Sequence, residues 1–200
     1  MPRYAPTLTV RDARAQYFQT NNFGDGGYNS KWVKVQAGPL PIYFPNTKAR
    51  VRAVKLHDIH HILTEYDTSL TGEAEIAAWE IASGCKSYYA AWQLNLGALA
   101  MGELFAPRRV YAAFIRGRHS LNLYSSVFQE SLLDVEVGTL RGQLKLDQAL
   151  PSANARDRLS FWLWSVIAMS LMLTQLLFAC ALVAGLVLLI RAANFSRSIL

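Results

Sequence analysis

Cysteine, histidine and, over one long stretch, formal charge are what this chain has little of. Its two cysteines, Cys85 and Cys180, make no disulfide framework. The first follows an expected helix end and the second sits inside an apolar run, so the geometry of a disulfide between them is out of reach and both fit a reducing compartment. The first residues, "MPRYAPTLTVRDARAQYF", lack an apolar run, which speaks against a signal peptide. No helix-turn-helix, zinc-finger or single-strand-binding signature accompanies the net charge of +6, so nucleic acid is not expected as a partner. The basic clusters "KARVRAVK" and "RGR" (Arg116 to Arg118) are read as facing anionic lipid headgroups or plain solvent.

Charge is missing altogether from Leu159 to Ile190, 32 residues in which Gln175 is the most polar interruption. A bilayer core needs only ~20 apolar helical residues, and core helices of globular domains rarely run so long uncharged. The stretch predicts one C-terminal transmembrane helix, with Trp162 and Trp164 at headgroup level. Arg141, Lys145, Arg156 and Arg158 before the span, against Arg191 and Arg197 after it, place the main domain on the cytoplasmic or equivalent inner side.

The rest of the chain predicts an all-α domain with an N-terminal extended arm or short hairpin. Residues 1–30 are polar and irregular, with "NNFGDGGYN" as a loop. "KWVKVQAGPLPIYFP" alternates and breaks at Gly38 and Pro39, as a hairpin covering the domain would. Asn46 or Thr47 can cap a helix running to about Glu65, and "DTS" supplies the turn and cap for a second, Leu70 to Ala82. "SYYAAWQLNLGALAMGELFA" is apolar on most of its circumference and is expected to run through the middle of the domain. "RRVYAAFIRG" and a piece within Val137 to Leu146 complete the helices. The expected divisions are an arm over 1–45, a helical domain over 46–150, a linker over 151–158, the transmembrane helix over 159–190 and a tail over 191–200.

Three of the four histidines fall in "KLHDIHHILTEYD". At about 100° per residue, with His57 at zero, His61 lies near 40°, Glu65 near 80° and Asp58 near 100°, while His60 falls on the flank near 300°. Four ligand-type side chains thus share a quadrant. An exposed histidine pair, or buried histidines satisfied by backbone, would account for any single member. A di-iron histidine-box reading demands more histidines than the one, His119, found outside the cluster, and an HD-type phosphohydrolase needs a histidine upstream of His57. One divalent cation asks less: two imidazoles at i and i+4, a carboxylate, and a ligand from the next helix. Glu73 can point back at the histidines from that helix, whereas Glu75 lies about 200° around it.

His57-Asp58-x-x-His61, eleven residues, then Glu73 resembles the zinc-type motif of the coenzyme Q (ubiquinone) biosynthesis protein 4 family. "LHDIHHILTEYDTSLTGEAEIAAWE" is similar to that family's motif helix, its Leu-Thr-x-Tyr turn and the Gly-Glu opening the next helix. A looser likeness extends from Phe44 to Tyr124 through "FIRGRHSLNLY". The resemblance implies a membrane-associated helical protein of prenylquinone biosynthesis, with His57, Asp58, His61 and Glu73 as ligands of a divalent metal, zinc foremost and iron as the alternative. It implies action in decarboxylation and hydroxylation of a polyprenylated ring precursor, or a non-catalytic scaffold that binds lipid and other quinone-biosynthesis enzymes around a structural metal. A metal-dependent lipid phosphohydrolase is the third reading. His60, Glu65 and Tyr66 are candidates for handling protons beside the metal. Small residues in "YYAAWQLNLGALAMG" could line a lipid channel or simply allow close packing, and Arg108, Arg109, Arg116 and Arg118 could meet headgroups.

Overall fold

The computed structural model describes residues 3–37, 40–149 and 152–197. It is all-α in class, 69% helical with seven helices and little strand. Chain order is α1 Val10–Asn21, the strands β1 Trp32–Ala37 and β2 Leu40–Pro45, α2 Lys48–Thr64, α3 Leu70–Ser83, α4 Tyr89–Phe105, α5 Pro107–Arg118, α6 Val137–Gln143 and α7 Ala155–Arg197. Short 3-10 turns at Leu123–Ser125 and Glu130–Asp134 join α5 to α6.

Local chemistry starts these helices where side-chain oxygens meet orphan backbone donors. Thr47 accepts from the backbone N–H of Arg50 and Ser69 from that of Gly72, fixing the starts of α2 and α3. The region expected to be irregular holds α1 instead. Thr9 and Asp12 bond reciprocally at its start, and Val10, Ala13, Tyr17 and Phe18 bury its inner face. β1 and β2 pair antiparallel with Trp32 opposite Pro45, and the Gly38 and Pro39 of the expected break lie outside the described residues. Trp32 and Tyr43 remain exposed, so these rings of the hairpin do not cover the core.

The helix through the middle is α3, not α4. α3 packs on α4, α5 and α2, and from Ala74 to Ile81 every residue is buried. α4 packs one side against α3 and α7 but leaves Leu94, Met101, Leu104 and Phe105 exposed. Gly102 and Gly117 allow the close approaches to α3: a Cβ at the first would collide with Ala74, and one at the second with the Trp79 carbonyl. Trp79 is fully buried, its indole N–H donating to Ser120 at 2.8 Å.

Among the described residues one helix is long and apolar enough to cross a membrane, Ala155–Arg191, with a most apolar window of mean hydropathy 2.5, none of it buried. The residues expected as a linker up to 158 are already helical from Ala155, because Asn154 accepts the Arg156 and Asp157 backbone N–H groups. Asp157 ties this end to α5 through Arg118 at 3.3 Å and His119 at 3.0 Å. Phe161 packs edge-on against Tyr111 and Phe114, and Trp164 stacks on Trp92 rather than standing free. The first turns of α7 are therefore part of the domain. Cys85 is buried and Cys180 exposed, and both are free thiols.

Candidate metal centre

His57 and His61, one turn apart on α2, and Glu73, in the first turn of α3, bring ligand atoms to within 4.8 Å of one another. Their placement follows from the turn between the helices. α2 ends when Glu65 adopts a left-handed conformation, and α3 restarts at Ser69. Gly72 lies so close to the Asp67 carbonyl and carboxylate that a Cβ would not fit, and this tight start brings Glu73 round to face α2.

The tautomers of both histidines follow from their other nitrogens. His57 Nδ1 lies 2.9 Å from Glu80 Oε1, an acceptor only, so that nitrogen carries the proton. His61 Nδ1 likewise donates to the Tyr66 carbonyl at 2.9 Å. Both Nε2 lone pairs are thereby aimed at the same point. They lie 3.1 Å apart, and Glu73 oxygens stand 3.5 Å from His57 Nε2 and 3.4 Å from His61 Nε2. Three electron-rich groups around one point repel each other unless a cation joins them.

A proton or a metal ion can play that part. Burial works against charge on His57, but Glu80 and then Glu73 outweigh it and hold the imidazolium pKa well above its ordinary value. Glu73 is held far below the carboxylate range: burial opposes this, and hydrogen bonds from His57 and His61 overcome it. As a metal site the donor spacing also fits. Bonds of about 2.0–2.1 Å in a tetrahedral shell put ligand atoms ~3.3 Å apart. The group His57, His61 and Glu73 could therefore hold a metal ion.

Asp58, expected as a ligand, stands apart from the three. Its Oδ2 accepts from the Tyr28 hydroxyl at 2.6 Å, and burial raises its pKa despite that bond. The adjacent position on a helix faces about 100° away, and Asp58 there pins the loop after α1 to α2. The N-terminal region also reaches the site through Tyr17, whose ring stacks on His61 at 5.6 Å. Glu65 leaves the shared quadrant because it is no longer helical; it accepts from the Arg3 backbone N–H and pairs with Arg141 at 3.1 Å.

Glu80 is the functional residue that the sequence reading missed. It is fully buried and faces His57 from the same α3 stripe as Glu73, seven residues on, a spacing that could have pointed to it. One oxygen takes the His57 and His60 Nδ1–H groups at 2.9 and 2.6 Å, and the other takes Asn95 and the Tyr124 hydroxyl. These donors keep Glu80 ionised against the cost of burial. His60 spends both ring nitrogens inside, its Nε2 accepting the Leu123 backbone N–H at 3.0 Å. Burial lowers its pKa in spite of Glu80. Among the arginines thought to meet headgroups, Arg109 instead pairs with Glu75, Arg116 binds the Thr64 carbonyl and Arg118 binds Asp157.

Compared with protein-family models, with curated proteins and with solved structures, the chain matches none.

Proposed function

We propose that this chain is a membrane-anchored, metal-dependent protein of ubiquinone or related prenylquinone biosynthesis, acting in decarboxylation and hydroxylation of the polyprenylated ring precursor. The observation that carries the reading is the meeting of His57 Nε2, His61 Nε2 and the Glu73 carboxylate, from two helices, with both Nδ1 atoms already engaged. They are three of the four residues, His57-Asp58-x-x-His61 and then Glu73, on which the resemblance to the coenzyme Q biosynthesis protein 4 family rests; the fourth, Asp58, is engaged by Tyr28.

Zinc is the favoured ion, iron the alternative, because two imidazoles and one carboxylate suit both. When bound, such an ion would polarise a carboxylate or phenolic oxygen of the ring and stabilise the charge that develops as carbon dioxide leaves. The protein's own contribution is orientation. Glu80 fixes the ring of His57, the Tyr66 carbonyl that of His61, and Tyr17 covers the His61 face. Three converging side chains leave a position for substrate, and the Glu73 side chain is 41% exposed while facing the histidines. That supports catalysis over the scaffold reading, in which a closed shell would be purely structural. The apolar helix α7 keeps the domain beside a precursor whose isoprenoid tail resides in the bilayer.

The test supplies detergent-purified protein, with zinc or with ferrous iron and dioxygen, with a prenylated precursor labelled at the ring carboxylate. Release of labelled carbon dioxide, lost in Glu73→Gln, is expected. Precursor binding without release would favour the scaffold, and phosphate release from prenyl phosphates would favour the phosphohydrolase.

A further inference from the structure

The outer face of α4 is apolar apart from Gln93 at its edge and has no covering element among the described residues. Leu94, Gly97, Ala98, Met101, Leu104 and Phe105 fall on one arc of the helix, with Met101 and Leu104 at 51% and 63% exposure. The helix carries a single charged residue, Glu103, and that one turns inward to accept from the Ser165 hydroxyl of α7. A water-facing helix of this length ordinarily puts charge on its outer side.

What lies beside this face identifies its occupant. α4 is locked to α7 by the stacked Trp92 and Trp164 and by the Glu103–Ser165 bond. Next to those contacts Trp162, Leu163, Val166 and Ile167 are exposed, and exposed apolar residues resume on the same helix from Leu173 to Ile190. The geometry of α7 sets the depth. Ala155–Arg191 would be about 55 Å long, almost twice a bilayer core of about 30 Å, whereas Leu173 to Ile190 would span about 27 Å. Packing against the domain ends at Met172. The membrane segment thus begins where the docked segment stops, and the domain is held at the bilayer surface with no spacer. Lys86 before α4 and Arg108 after it are exposed cations at the two ends of the apolar face, suited to anionic headgroups.

We propose that the outer face of α4 is inserted into the boundary between headgroups and acyl chains of the bilayer that α7 crosses, which makes α4 a second, in-plane membrane contact of the domain. The inference rests on α7 as a span. Because a Cβ at Gly102 would collide with Ala74, the α4 end that carries Leu104 and Phe105 lies against α3 at the residue that follows Glu73. An inserted α4 therefore brings the metal-ligand cluster close to the depth at which a membrane-resident lipid would present its polar head.

The test uses the full chain in a Cys180→Ser background, Cys85 being buried. It is reconstituted into vesicles of phosphatidylcholine and phosphatidylglycerol, with an environment-sensitive fluorophore at Leu104→Cys, Gln19→Cys or Leu186→Cys. Lipids carrying nitroxides near the headgroup are expected to quench the probe at 104 several-fold more than at 19, while deep nitroxides quench the probe at 186. Quenching at 104 no greater than at 19, with 186 quenched, overturns the α4 proposal alone. Failure at 186 overturns the span and α4 with it. Efficient 104-to-104 cross-linking without lipid quenching assigns the face to a second copy and overturns the proposal too.

Discussion

Two kinds of histidine share one turn of α2. His57 and His61 each spend Nδ1 on a fixed acceptor and leave Nε2 aimed at Glu73. His60, between them in sequence, donates from Nδ1 to Glu80 and accepts on Nε2 from the Leu123 backbone, with nothing left over. The difference teaches that ligand capacity lies in the second nitrogen and in what the first one does, not in the number of histidines nearby. Glu80 serves both kinds, and substitutions that act on one kind or on both can separate them.

Glu80→Leu should act on both and have the largest effect. It leaves the His57, His60, Asn95 and Tyr124 donors without their acceptor in a buried setting, for a loss of roughly 3–5 kcal/mol in denaturant unfolding together with loss of bound metal. A change under about 1 kcal/mol would show that the network is not formed as described. His60→Ala should break only the structural kind, at a cost of about 2–4 kcal/mol from the cavity and the unpaired Leu123 N–H, with metal content per chain unchanged. Metal loss equal to that of His61→Ala would erase the distinction. Gly72→Ala should cost about 1–3 kcal/mol by forcing the α3 start away from Asp67, and should weaken metal binding through displacement of Glu73.

Acid sharpens the same comparison by a smaller amount. The metal-free site holds a proton on His57, whose pKa is raised above its ordinary value. A metal must displace that proton, so affinity should fall as pH is lowered from above the raised pKa, and binding should release protons. Calorimetry in buffers of different ionisation enthalpy measures the release. Proton uptake on binding would contradict the assignment.

Much of this was legible from particular residues. Thr47 and Ser69 mark the starts of α2 and α3, and the i, i+4 histidine pair with Glu73 after the turn is what the structure brings together. Asp58 was not legible, because its partner, Tyr28, comes from a distant loop and no local pattern announces it. Glu80 was legible only as a carboxylate on the Glu73 stripe; its burial makes sense once its four donors are assembled. α1 was hidden by its polar outer residues, although Val10, Ala13, Tyr17 and Phe18 follow helical spacing. For α4, an apolar circumference states that water is excluded but not whether protein or lipid does the excluding.

The central claim meets its most direct test in elemental analysis of the detergent-purified chain beside Glu73→Gln. Glu73 is partly exposed, so the variant should keep its fold. About one zinc or iron per parent chain, lost in a variant whose circular dichroism still shows the parent's helix content, is the predicted result. Absence of metal from the parent after loading, or equal metal in both, would contradict it.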